Sequence, residues 1–148
     1  MTRRAYSNIA GLLILFCALT ACGSEDLDDS KTPAEPPPES TPVDPRIASS
    51  LPEGATIEMA IEGERLFVVC AVCHGSDAMG TQLGPALTDS LWIHGSGSLE
   101  EITAIVRAGI GDPEEFPIPM PVMGAGDFNA EQLRAVSAYV YALSHAPS

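Results

Sequence analysis

Basic residues are scarce. Seven Lys and Arg stand against 20 Asp and Glu, a formal net charge of −13 over 148 residues. So few cations cannot neutralise a phosphate backbone, which argues against nucleic acid as a partner. They offer no basic face for an anionic membrane surface either. Aromatic residues are few, at 5%. No apolar run approaches the ~20 residues a membrane-crossing helix needs. There is no internal repeat, no phosphate-binding glycine loop and no period-2 alternation marking strands. What is plentiful is Gly and Pro, 13 of each, enough for a loop-rich fold or a disordered stretch. The length allows one ordinary domain with appendages. Four cysteines suggest two disulfides until their positions are considered.

The first fifty residues read as address and spacer. Arg3 and Arg4 precede an apolar stretch from Ile9 to Leu19. At about 11 residues it suits an export signal, not a transmembrane helix. It ends in Leu19-Thr20-Ala21-Cys22-Gly23, which resembles a bacterial lipobox. That resemblance implies a lipoprotein signal over residues 1–21, cleavage before Cys22 and acylation of Cys22; the alternative is ordinary cleavage near Ala21. Residues 22–50 carry seven acids, two bases and prolines at 33, 36, 37, 38, 42 and 45. With little apolar area to bury, this stretch is expected to stay disordered. As a tether of about 27 residues it would reach ~80 Å fully extended and average nearer 30 Å as a coil. A domain over 51–148 remains, with 13 acids and 3 bases.

The chemistry is concentrated in Cys70-Ala71-Val72-Cys73-His74. C-x-x-C-H reads as a c-type haem attachment site. Two thiols three positions apart can add to the two vinyl groups of one haem, and the adjacent His donates an imidazole nitrogen to its iron. A redox dithiol needs no His here. A structural zinc site needs four ligands, and there is no second Cys pair. On this reading Cys17 leaves with the signal, Cys22 carries lipid, and Cys70 and Cys73 carry haem. No disulfide remains. The cofactor also answers the problem of a small core, since a domain of about 98 residues is marginal without a staple.

Residues 58–146 resemble class I cytochrome c domains, of the type in haem-bearing subunits of bacterial terminal oxidases and in small periplasmic cytochromes. Gly63-Glu64-Arg65-Leu66-Phe67 matches the small residue and aromatic of the family's first helix. Family members carry one more residue before the first Cys, so Leu66 or Phe67 takes the aromatic position. Gly84-Pro85-Ala86-Leu87 matches the loop after the haem motif. The resemblance implies that the Pro85 carbonyl accepts the N–H of His74 and that Leu87 packs on haem. Trp92 corresponds to a Trp-rich turn, where it packs on the haem edge or points its indole N–H at a propionate. Met120-Pro121-Val122-Met123-Gly124 resembles M-P-x-x-G, whose first Met ligates iron. Met120 is thus the expected sixth ligand and Met123 its competitor; Met79, His94 or an open site remain. Tyr139 is expected to meet the small residue of the first helix.

The implied fold is all-α, a cytochrome c fold with three main helices at 55–73, 98–108 and 129–144 and long loops around one haem. Ser98…Glu101 and Asn129…Gln132 have the spacing of capping boxes. Apolar Leu133, Val136, Val140 and Leu143 recur at helical spacing. The implied function is electron transfer, without enzymatic turnover, by a His/Met-ligated haem c on the periplasmic side of a bacterial membrane. Its redox partner would carry a basic docking patch. Two alternatives are a haem subunit of a larger oxidoreductase, and a haem enzyme or gas sensor with an open sixth position.

Overall fold

A computed structural model describes residues 42–147. The expected signal, Cys22 and most of the acidic spacer lie outside the described residues. Among the described residues the architecture is all-α, as expected, and strand pairing is limited to one backbone bridge between Ile110 and Met120. None of these helices is long and apolar enough to cross a membrane.

The folded part starts before residue 51. Helix α1, Pro45–Ser49, is capped by Asp44, whose side chain accepts the Arg46 N–H. Pro45 sits at the first helical position, where its missing N–H costs nothing. Ile47 is buried against Ala60 and Ala142, with Val43 and Leu51 packed alongside. Burying such a side chain contributes roughly 1.5–3 kcal/mol. The boundary expected at 50/51 therefore moves to about residue 43. One isoleucine among acids and prolines gives too little periodicity to show this in advance.

Helix α2, Ile57–Leu66, opens on Thr56, whose hydroxyl accepts the Met59 N–H. It does not run unbroken through the expected 55–73. A 3₁₀ turn, Phe67–Val69, intervenes before the short helix α3, Ala71–His74. The tighter turn eclipses positions i and i+3. Phe67 and Cys70 consequently both face inward, while Val68 and Val72 stay exposed. The turn sets the phase with which the Cys pair meets the interior.

Helix α4, Leu99–Ala108, is capped by Ser98. Its box is only half formed: Ser98 Oγ accepts the Glu101 N–H, but the Glu101 carboxylate reaches further back, to Ser96 N at 2.7 Å. Helix α5, Ala130–His145, has the full box between Asn129 and Gln132. It buries more than the expected stripe, including Ala135, Ser137, Ala138 and Ala142. The reason is that α1, α2 and α4 all pack on it.

Helix α2 crosses α5 at Gly63. A Cβ there would fall on the Ala135 carbonyl oxygen and lie 2.6 Å from Tyr139 Cβ. Glycine costs a helix interior about 1 kcal/mol relative to alanine; here it admits a close crossing. Phe67, not Leu66, takes the aromatic position. Its ring meets Tyr139 edge-on, with centroids 5.6 Å apart.

Candidate functional site

An open, mostly apolar cleft lies between α3, α4 and two long loops. It is lined by Cys70, Cys73, His74, Pro85, Leu87, Trp92 and Met120, with Ile102, Val106 and Val140 supplying apolar wall. Residues expected from separate stretches of the chain therefore share one cavity.

His74 ends α3 and is buried. Its Nδ1 lies 2.8 Å from the Pro85 carbonyl oxygen. A carbonyl only accepts, so the ring proton is assigned to Nδ1 and the Nε2 lone pair is left to bind a metal. A ligand imidazole held this way is more basic and fixed in orientation.

Both described cysteines are free. Cys70 is buried, its sulfur next to Gly124, and Cys73 is half-buried. Burial, and then the neighbouring Cys73, push the Cys70 thiol up to about 11. Among the described residues no three His, Cys, Asp or Glu side chains converge as a metal cage. A structural zinc site has no support here. Two adjacent thiols, one oriented imidazole and apolar walls fit a flat macrocycle carrying its own metal.

The methionines separate. Met120 is half-buried, lines the cleft, and pairs with Ile110 through two backbone hydrogen bonds of 2.9 and 3.0 Å. That pairing closes the neck of loop 111–119. Met123 has a left-handed backbone, φ 55°, and packs against the core without lining the cleft. Met79 is exposed, and its sulfur accepts the Thr88 hydroxyl. Trp92 packs against the main core, its indole resting on Gly97. A Cβ at Gly97 would overlap the ring, and φ there is +81°. The Glu101 carboxylate ties the same turn to α4. Hydrogen bonds from the Ser96 hydroxyl and N–H, and from Ser98, hold it at about 2.

His94, one of the alternative ligands, lines the cleft, and so do Glu114 and Glu115, which the sequence did not single out. The acids follow from the Ile110–Met120 bridge, which folds loop 111–119 over the opening. Only the dense prolines at 113, 117, 119 and 121 hinted at a fixed loop there.

The cytochrome c family model matches residues 60–144. The chain is 43% identical over 91 residues to the cbb3-type cytochrome c oxidase subunit CcoP of Rubrivivax gelatinosus, covering 60% of this chain and 27% of that protein. It is 39% identical over 101 residues to the subunit FixPc of Rhizobium leguminosarum bv. viciae, covering 65% and 34%. The chain thus spans about a third or less of the length of these curated relatives. Among solved structures, the c-type cytochrome XoxG of Methylobacterium extorquens AM1 aligns at 23% identity with a TM-score of 0.46, over 73% of this chain and 79% of that one. The family match covers more than half of the chain and includes every wall of the cleft around C-x-x-C-H: this protein belongs to the cytochrome c family, and its cofactor is covalently bound haem c.

Proposed function

We propose that this protein is a lipid-anchored electron carrier on the periplasmic side of a bacterial membrane. Cys70 and Cys73 would hold haem by thioether bonds, and His74 Nε2 and Met120 Sδ would be the two axial donors. The observation that carries this reading is the 2.8 Å bond from His74 Nδ1 to the Pro85 carbonyl. It leaves Nε2 free as a donor inside the cleft that Met120 also lines. When bound, the haem iron supplies one-electron chemistry between Fe(III) and Fe(II).

The chain's own contribution is confinement. A thioether is a soft, neutral donor that favours the reduced state, and His/Met pairs give high potentials. The Ile110–Met120 bridge and the surrounding prolines hold Met120 in place, so little entropy is lost in keeping a weak bond. The apolar walls exclude water. The lipobox-like Leu19-Thr20-Ala21-Cys22 supports the anchor, and the acidic, proline-rich stretch after it supports a spacer that ends at α1.

The excess of acids over bases in residues 51–148, 13 against 3, favours a partner with a basic docking face. Such fields set association rate and salt dependence more than affinity. Purified protein should keep its haem after denaturation, and electron exchange with its partner should slow as ionic strength rises. Haem extractable by acid solvent would contradict covalent attachment, and a flat or rising salt dependence would contradict the docking model.

A second reading is a haem subunit of a larger oxidoreductase, which the CcoP and FixPc relatives favour. Detergent extracts separate the two. A carrier elutes alone, whereas a subunit co-elutes with integral membrane partners and oxidase activity.

A further inference from the structure

We infer that Thr81 is a positioning residue for His74, acting through the loop that presents the Pro85 carbonyl; the inference rests on reading His74 as the iron ligand. Residues 78–87 form a loop wrapped around the His74 ring. Its ends meet where the Leu87 N–H donates to the Ala78 carbonyl at 2.8 Å. Besides the Pro85 carbonyl on Nδ1, the loop touches the C-x-x-C-H segment at three points. The Gly80 N–H donates to the His74 carbonyl at 2.8 Å. Gly84 is buried so close to the imidazole that a Cβ would lie 3.2 Å from Cε1 and Nδ1. The Thr81 hydroxyl donates to the Cys73 carbonyl at 2.5 Å.

Thr81 is the hub of these contacts. Its hydroxyl also accepts the Leu83 N–H at 2.9 Å, and its own N–H donates to the Gly84 carbonyl at 2.9 Å. One hydroxyl supplies one donor and two acceptor lone pairs, so both side-chain bonds are compatible. Together they clamp the turn 81–84 onto the residue preceding His74. The next peptide joins Gly84 to Pro85, whose carbonyl meets Nδ1. A loop held only by Gly80 could pivot and lengthen the Nδ1–H···O bond. A longer bond makes the imidazole a weaker donor, which disfavours Fe(III) and raises the reduction potential. Thr81 itself is exposed, so burial gives it no reason to be there. Pro85 cannot be probed by side-chain substitution because its carbonyl does the work; Thr81 is the accessible handle on the same bond.

The test uses the full holoprotein and two readouts, the reduction potential and the solvent exchange of the His74 ring N–H by NMR in the reduced state. Thr81→Val should move the potential to more positive values and speed ring N–H exchange by about fivefold, as for loss of one hydrogen bond. Thr81→Ser, which keeps the hydroxyl, should restore both. If Thr81→Val does not mature, Thr81→Ala adds no bulk and carries the same expectation. A lowered Tm with both readouts at wild-type values would overturn the inference, because Thr81 would then only brace the loop. A wild-type protein with no slowly exchanging His74 N–H would overturn the ligand reading and this inference with it.

Discussion

Where α2 crosses α5, the chain is held by packed side chains and by the absence of one at Gly63. Around the cleft, over residues 75–98 and 109–128, it is held by backbone hydrogen bonds, prolines and a few side-chain clamps. The crossing buries Ala60, Phe67, Val136 and Ala138 almost completely. The cleft loops bury little, and they expose Met79, Leu83, Leu91 and Val122. The frame can thus fold on ordinary hydrophobic grounds, whereas the loops need the cofactor to complete their core. Helices fix where His74 begins, and loops decide what His74 and Met120 can do.

The crossing is most sensitive at Gly63. Gly63→Leu should prevent the crossing and cost about 3 kcal/mol or more, at the upper end of overpacking effects. Little folded holoprotein should accumulate, as seen by haem staining and circular dichroism. A stable variant would mean that the helices can separate without harm. Ile47→Ala comes next. It deletes the buried contact of α1 and should cost about 2–4 kcal/mol. Thermal unfolding checks this, with a Tm drop of several degrees per kcal/mol. The haem spectrum should not change, because α1 lies in a cluster separate from the cleft walls.

The smallest effect tests a loop clamp. Glu101 has its carboxyl held at about 2 by Ser96 and Ser98. Its folded value lies below the unfolded one, so its stabilisation is fully present above about pH 4.5 and is lost as pH falls through about 2. Glu101→Gln should lower stability at neutral pH and flatten this acid limb, with the two proteins converging only below about pH 2. Urea unfolding across that range measures it. Parallel pH curves for the two proteins would show that the clamp contributes nothing.

Much of the site was legible because its chemistry is local in sequence. Cys70, Cys73 and His74 are set by one motif. Pro85 and Met120 stand in short motifs whose neighbours fix the backbone. Two caps, Ser98 and Asn129, mark the starts of α4 and α5 through side chains that can satisfy orphan N–H groups. What was not legible depends on contacts distant in sequence. Helix α1 forms because Ile47 finds Ala60 and Ala142. The 3₁₀ turn at Phe67–Val69 forms within a run whose residue types also suit an α-helix. Within it Phe67 and Cys70, three positions apart, both face the interior. The Ile110–Met120 bridge, which brings Glu114 and Glu115 to the cleft, joins two residues with no local signature of pairing.

The choice between Met120 and Met123 decides the proposed function, because a bound thioether would close this haem site against other ligands and raise its potential. Optical and electron-paramagnetic spectra of oxidised wild type, Met120→Ala and Met123→Ala test it most directly. The expected result is loss of the weak methionine–iron charge-transfer band in Met120→Ala, with carbon monoxide now binding the reduced protein, and an unchanged band in Met123→Ala. A band that persists in Met120→Ala would contradict the account.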